Sequence, residues 1–438
     1  MLLNPVVLSV LALVVLSLAR VHVIFALLIA SIVGGISAGI SLEETFTLLI
    51  GGLGGQGETA LSYILLGILS VMIARSGITT LFIQRVLPYM QGRRAIVLFL
   101  LAGVASLSQN VVPIHIAFIP ILIPPLLAIF NKMKVDRRGI ATALTFGLKA
   151  PYILIPIGFG LIFQNIIVDE MKANGMEIGL SQVPLAMVIP VAGMVIGLAI
   201  AILYTYRKPR EYHEIPTQFT NDAAATNDKT NASWQWQHSV TLLSLAVTLT
   251  LQLVYGSLAL AALGGILTML VLRAETWQSG DVIVEDGVKM MGVIAFVMLI
   301  ASGYAAVLKE TGSVQALVQS ASAWLGDSQF LAAVVMMIIG MLVTIGIGTS
   351  FGTIPVLAAI FVPICASLGF SPLATAALIG TSGAIGDAGS PASDSTLGPT
   401  SGLNVDGQHH HIWDTCVPTF IHYNIPLFIC GIIAALVL

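Results

Sequence analysis

The sequence predicts an all-α polytopic membrane protein made of two inverted repeats, each with five spanning helices, one of them broken, and a re-entrant hairpin. Three observations predict it. The 438 residues are 57% hydrophobic and 9% charged, with a mean hydropathy of +0.98, whereas a soluble domain carries about 25% charged residues. The apolar residues gather in runs of roughly 17–25, the length that crosses a hydrocarbon core. The second half of the chain repeats the order of the first.

The start, Met1-Leu-Leu-Asn-Pro5, has no basic n-region, and no small-residue cleavage site follows before Arg20, so the first apolar run is expected to persist as a helix. Runs at 5–19, 21–40 and 59–74 read as spans, with the interfacial piece Ser41-Leu-Glu-Glu-Thr-Phe46 between the last two. Two arms, 95–107 and 114–130, then flank Ser106-Leu-Ser-Gln-Asn-Val-Val-Pro113. Arg93 and Arg94 precede the first arm, and Lys132, Lys134, Arg137 and Arg138 follow the second. The positive-inside rule puts both flanks in the cytoplasm, so the arms form a hairpin. Residues 139–167 cross outward and 183–204 return. The repeat 1–204 is joined by a polar cytoplasmic linker, 205–238, to the repeat 239–438.

In the second repeat, spans at 239–255, 257–272 and 287–308 surround the interfacial Glu275-Thr-Trp-Gln278. Arms at 329–347 and 355–368 flank Gly348-Thr-Ser-Phe-Gly-Thr-Ile-Pro355, a polar-interrupted span covers 372–400, and 417–438 is the last helix. Ser76-Gly77…Gln84 matches Thr311-Gly312…Gln319, and Ala141-Thr-Ala-Leu144 matches Ala374-Thr-Ala-Ala377. An odd number of crossings per repeat inverts the second copy. Of the 18 Lys and Arg, only Lys172 and Lys309 fall outside and Lys149 within a span.

These features exclude several classes. The net charge of −3 is spread over short loops with no basic patch, so nucleic acid is not a partner. Cys365, Cys416 and Cys430 lie in or beside apolar runs and form no disulfide or metal framework. No G-x-x-x-x-G-K-[ST] loop and no H-E-x-x-H motif occurs, which argues against ATP-driven pumping by this chain and against an intramembrane enzyme. Inverted repeats with interrupted helices are instead the pattern of secondary transporters, and they disfavour a channel.

Non-helical backbone at membrane depth is tolerated only where it lines a cavity or is buried in protein. Four segments have that character: the hairpin tips Ser108-Gln-Asn110 and Gly348–Thr353, and the breaks Lys149-Ala-Pro151 and Gly383–Asp394. Ser108, Asn110, Thr349, Ser350, Thr353, Asp387, Ser390 and Asp394 offer hard oxygens that suit a monovalent cation, not a transition metal. Each hydroxyl could equally bond back to its own helix, so the weight rests on the four segments together. An intramembrane carboxylate points to function. Burial raises its pKa and a bound cation lowers it, so one carboxylate can exchange a proton for sodium. Asp394, in its Ser-Asp-Ser setting, could alternatively cap the following half-helix.

Lys149 is the only intramembrane base, able to pair with a carboxylate, replace a second cation or hold a substrate carboxylate. His115, Ser382 and Ser393 are further candidate substrate contacts. His409-His410-His411 on a helix would point in different directions, so an interfacial or gating role is expected over zinc. His422 and Asn424 near Pro426 could face the cavity.

The motifs Gly348–Thr353, Gly386-Asp-Ala-Gly-Ser-Pro-Ala-Ser-Asp394 and Thr400-Ser-Gly402 resemble the NhaC-type sodium/proton antiporter family of the ion transporter superfamily. Pro113-Ile-His-Ile-Ala-Phe-Ile-Pro120 and the tail from Asp406 to Pro426 are most similar to its YuiF-type branch, regarded as histidine or amino-acid permeases. The resemblance implies a sodium-coupled secondary transporter of the bacterial inner membrane, with Na+ or H+ as coupling ion and no other cofactor. It also implies a homodimer with a fixed scaffold and an elevator-like moving domain. Sodium/proton exchange is the family reading, and uptake of a small amino acid such as histidine is the alternative. Lys149 and the histidine-rich tail depart from the pattern of a bare cation antiporter.

Overall fold

The computed structural model describes residues 4–19, 21–78, 93–110, 118–157, 159–213, 234–313, 316, 328–347 and 350–438, and all regular structure among them is helical. α1 (Pro5–Leu18), capped by the Asn4 carboxamide, packs on α2 (Val23–Ser37). Ser41 caps α3 (Leu42–Gly52), whose first turn holds Glu43 and Glu44, where carboxylates complement the helix dipole. A 3-10 turn, Leu53–Gln56, leads on into α4 (Gly57–Arg75). The polar residues that suggested an interfacial piece are therefore cap and first turn of a 34-residue helical run, Leu42–Arg75.

The next pair, α5 (Arg94–Asn110) and α6 (Phe118–Lys132), is closed at its base by Arg94 Nε donating to the Met133 carbonyl at 2.8 Å. α7 (Arg137–Leu154) and α8 (Phe159–Ala173) form one bent unit with a 47° turn. α9 (Val183–Ile200) continues through a π-helical turn to Thr205. Residues 214–233, most of the expected linker, lie outside the described residues. Beyond them come α10 (Trp236–Tyr255), α11 (Leu258–Val271) and α12 (Gly280–Glu310). α12 extends well upstream of the expected 287 because the turn Trp277–Ser279 feeds directly into it.

The second hairpin pair, α13 (Gln329–Ile347) and α14 (Ser350–Ser367), is closed like the first: Gln329 Nε2 donates to the Leu368 carbonyl at 2.9 Å. The last elements are α15 (Pro372–Ala384), α16 (Asp394–Leu403) and the 27-residue α17 (His411–Val437) with two π-helical stretches.

Several local features recur 235 positions apart. Arg94 and Gln329 close the hairpins. Lys134 and Gly369 follow with positive φ of 53° and 73°. Asp136 and Ser371 then cap α7 and α15. Ser76 and Thr311 hydroxyls bond the Ile73 and Leu308 carbonyls, each before a left-handed glycine, Gly77 or Gly312. In this register Ala141-Thr142 falls opposite Ala376-Ala377, so the expected match to Ala374-Thr375 is two residues out of step.

The hairpin bases lie at opposite ends of α17. Arg210 pairs with Asp136 at the first base (3.7 Å) and with Asp414 near the start of α17 (3.0 Å). At the other end, the Ser371 hydroxyl donates to the Leu438 carbonyl at 3.0 Å. Twenty-seven helical residues separate these ends by about 40 Å at 1.5 Å per residue.

By packing, the helices fall into two groups, one of α2–α4 with α10–α12 and one of α5–α9 with α13–α17, and α1 touches both. Six helices among the described residues are long and apolar enough to span a membrane, or up to eight if each bent pair counts once. The shorter apolar helices include α1, α2 and α11, expected as spans, as well as α5 and α6, whereas α13, expected as a hairpin arm, is one of the six and α14 is one of the bent pairs. Large apolar side chains such as Leu11, Phe25, Leu185 and Ile196 are exposed, and Tyr204, Trp236, Tyr255 and Trp277 stand exposed near helix ends. That pattern suits lipid contact with an aromatic belt. The chain is a multi-pass membrane protein.

Candidate functional site at the helix breaks

The two broken helices meet in the second packing group. The first break was expected at Lys149–Pro151, but α7 runs through Pro151 and ends at Leu154. The break instead falls where Ile155, which precedes Pro156, is extended (φ −100°, ψ 118°), as the ring of a following proline requires. Lys149 therefore sits on intact helix, buried, about one and a half turns before the break.

The second break spans 385–393, inside the expected Gly383–Asp394, because α15 runs on through Gly383 to Ala384 and α16 begins at Asp394. Gly386 (φ 89°) and Gly389 (φ 126°) adopt backbone that only glycine takes without strain. A Cβ on Gly386 would also stand 2.8 Å from the Met341 carbonyl. The Gly386 N–H donates to Asn424 Oδ1 of α17 at 3.2 Å.

This turn delivers Asp387 to Lys149. Lys149 Nζ lies 2.5 Å from Asp387 Oδ2, which also accepts from the Ser350 hydroxyl at 2.6 Å. Asp387 Oδ1 accepts from the Ser393 hydroxyl. Asp394 Oδ1 is the second carboxylate near Lys149, at 3.6 Å. Tyr152 completes the arrangement, its hydroxyl 2.7 Å from Ser350 Oγ and its ring 5.3 Å beneath Lys149 Nζ. The Thr145 hydroxyl ties α7 to the Ser395 carbonyl at 2.9 Å. The Asp387 and Lys149 side chains are 1% and 7% exposed, and that of Asp394 is 27% exposed. Only Asp394 keeps appreciable access.

Five expected residues thus converge: Lys149, Ser350, Asp387, Ser393 and Asp394. Asp394 is not the helix cap: Ser393 is, accepting from the Ser395 N–H, and Asp394 stands one residue inside the first turn. A serine hydroxyl reaches the free N–H groups from that position, and the Ser393 hydroxyl also lies 3.4 Å from Asp394 Oδ1. Ser390 shapes the turn, its carbonyl accepting from Thr396 Oγ1 at 2.6 Å. Thr353 is buried on α14. Ser382 faces away, its hydroxyl toward Met337 Sδ at 3.5 Å. Ser108 and Asn110 close α5, and only their backbone is described. His115 and Thr349 lie outside the described residues.

Tyr152 was missed, although its place beside Pro151 and one turn from Lys149 was a signal. Arg137 was missed too, having been read only as a flanking charge. It is fully buried and donates from both terminal nitrogens to the Asp406 oxygens at 2.6 Å, and to the Leu403 carbonyl at 2.9 Å. Burial alone would raise the Asp406 carboxyl, but the Arg137 hydrogen bonds and charge hold it below its ordinary value.

The histidine run is not helical throughout: His409 and His410 precede α17, and His410 caps it. His409 Nε2 meets Thr415 Oγ1 at 2.7 Å, while His411 sits between the Pro391 carbonyl (2.9 Å) and Thr400 Oγ1 (2.8 Å). Among the described residues no His, Cys, Asp and Glu group is arranged to hold a metal. Burial pushes the His409 imidazole down to about 3. His422 turns to Thr205 (3.0 Å) and the Pro418 carbonyl (2.7 Å), away from the break.

Residues 143–432 match the family model described as the Na+/H+ antiporter family, and residues 4–90 match a second described as the Na+-H+ antiporter family. The chain belongs to the Na+/H+ antiporter family. It is 51% identical to an uncharacterized membrane protein of Vibrio parahaemolyticus, over 99% of this chain and all of that one. It is 46% identical, over 99% of this chain and all of the relative, to Bacillus subtilis YuiF, named as a candidate amino acid transporter. Among solved structures, MtrF of Neisseria gonorrhoeae is similar at 16% identity and a TM-score of 0.45, covering 91% of this chain and 85% of that one. Membership of that family makes this chain a membrane transport protein.

Proposed function

We propose that the chain is a cation-coupled secondary transporter whose binding centre is the Lys149–Asp387–Asp394 cluster. The observation that carries this is its charge: one buried ammonium faces two carboxylates at a helix break. With all three ionised, the cluster is one positive charge short of neutrality. An isolated charge in an apolar interior is strongly disfavoured, so the cluster calls for one monovalent cation or one proton. Family membership supports sodium as that cation, exchanged for protons in the family reading.

Lys149 favours a second component. A lysine beside the carboxylate opposes an incoming sodium ion by about 4 kcal/mol at 4 Å and an effective dielectric of 20. An anionic group on Lys149 removes that repulsion. A zwitterionic amino acid supplies one, its carboxylate on Lys149 and its ammonium on a carboxylate of the cluster, and the YuiF relative carries such a name. Cation-coupled amino-acid transport is therefore the cargo reading that the geometry supports best.

The recurrences at a spacing of 235 and the hairpin bases at opposite ends of α17 support two inverted repeats, 1–204 and 239–438. The two packing groups suit an elevator, with α5–α9 and α13–α17 as the moving body. The proposal includes a homodimer in the bacterial inner membrane, in keeping with the family reading. The test is uptake of labelled histidine into proteoliposomes beside sodium-driven pH change. Sodium-dependent histidine uptake selects the permease, and pH change without uptake selects the antiporter. If neither responds, the proposal is wrong.

A further inference from the structure

The two packing groups face each other across a cavity of about 350 Å³, with Gly55, Ala301, Ala305, Lys309 and Ala392 among its walls. That volume lies within the range of small-solute sites. Ala392 belongs to the second break, and the other four walls to the Leu53–Gln56 turn and the last turns of α12. The Ser302 hydroxyl ties turn and helix together, donating to the Gly52 carbonyl at 2.7 Å. Ala301, Ala305 and Lys309 recur every four residues and so share one face of α12.

The sequence opens this space at one end of the packing group and fills it at the other. At the positions 235 residues away, Leu66, Val71, Met291 and Ala74 replace the lining residues Ala301, Ala306, Gln56 and Lys309, and all four are at most 2% exposed. At that filled end Arg75 pairs with Glu275 at 2.9 Å, and the Lys/Arg distribution puts it in the cytoplasm and Lys309 outside. A lysine on the outer side runs against the positive-inside bias. Lys309 is also the one charged side chain among the described residues that line the cavity, and its neighbour Glu310 does not line it. An ammonium in a cavity wall attracts an anionic group and repels a bare cation.

We propose that this cavity is the external entrance to the second break, and that Lys309 draws into it a solute bearing a carboxylate. This rests on the reading of the break as the binding centre, and it adds the substrate class from a residue outside that centre. A low-dielectric wall focuses the field of its charge, which raises the local concentration of a solute of opposite sign. The small side chains of Ala301 and Ala305 leave the room, Lys309 sets the sign, and Ala392 marks where the path reaches the break.

The test is thiol labelling of full-length Ala305→Cys in right-side-out membrane vesicles, with and without Lys309→Gln. The probes are a membrane-impermeant anionic methanethiosulfonate and its cationic analogue. Wild type reports the background from Cys365, Cys416 and Cys430, and Ala301→Cys is the second reporter if Ala305→Cys melts lower than wild type. Position 305 is expected to react from outside. Lys309→Gln is expected to lower the anionic-to-cationic rate ratio about tenfold at low salt. One unit charge a helical turn away changes the two rates about threefold each in opposite senses, and 1 M salt should shrink the difference. No reaction from outside at either reporter would overturn the entrance. A ratio that Lys309→Gln leaves unchanged would overturn the role of Lys309. Labelling needs no transport, so the uptake assay decides the Lys149–Asp387–Asp394 cluster separately.

Discussion

α7 carries two buried ion pairs, Arg137–Asp406 and Lys149–Asp387, and they differ in kind. Arg137 is a forked clamp with two 2.6 Å bonds to one carboxylate, a carbonyl at 2.9 Å, Asn131 Oδ1 at 3.1 Å and the Tyr212 ring 4.2 Å away. A guanidinium neither loses its proton nor changes partners easily. Lys149 makes one close bond to a carboxylate among serine hydroxyls, with a second carboxylate at 3.6 Å. Its ammonium has three donors to redistribute. The first pair fixes the base of the hairpin to the loop after α16, and the second can exchange partners. Similar burial and opposite charges serve as a rivet at one end of the helix and as the proposed binding centre near the other.

Breaking the rivet has the largest expected effect. Arg137→Met strands the Asp406 carboxylate and is expected to cost about 3–5 kcal/mol, as loss of one partner of a buried pair does. The melting temperature and folded yield in detergent should fall sharply. Arg137→Lys should recover only part of this, since an ammonium cannot make the fork; full recovery would show that charge alone suffices.

Lys149→Met should cost less stability, because Asp387 can take up a proton and remain hydrogen-bonded to Ser350 and Ser393. Its main effect should be on function. A melting temperature that falls as far as that of Arg137→Met would erase the distinction between the two pairs. Tyr152→Phe should be smaller again, about 1 kcal/mol for one buried hydrogen bond to Ser350, with weakened transport from the loosened serine.

These contrasts also show what could be read from sequence. Hydropathy was enough to find most of the apolar helices, because lipid imposes them. The Gly-rich second break was readable from Gly386 and Gly389, since few residues adopt their backbone. The first break was misplaced because Lys149 and Pro151 drew attention upstream, whereas the pre-proline Ile155 sets it. Arg137 could not be singled out, because its partner Asp406 lies 269 positions away and the fork exists only once α7 and the loop after α16 meet. The Asp394 cap was assigned to the neighbour of the residue that performs it, a one-position difference that hydrogen-bond geometry decides.

The smallest expected effect sharpens the contrast by pH. His409 is buried neutral, with its imidazole pushed down to about 3, against about 6.5 when exposed. The unfolded chain then binds the proton first, so stability falls as pH drops from about 6.5 toward 3, at up to about 1.4 kcal/mol per pH unit. His409→Gln should flatten this part of the stability profile. Below it, protonation of Asp406 should remove the clamp as well. A wild-type profile that is flat between pH 6.5 and 4 would contradict the buried neutral assignment.

The division of labour, with Lys149 proposed to hold cargo and Arg137 holding structure, is tested by sodium-driven uptake of labelled histidine by proteoliposomes containing Lys149→Met, reconstituted at the same folded amount as wild type. Uptake is expected to fall to the level of empty vesicles while sodium binding to the purified variant persists. Uptake by Lys149→Met at the wild-type rate would contradict it.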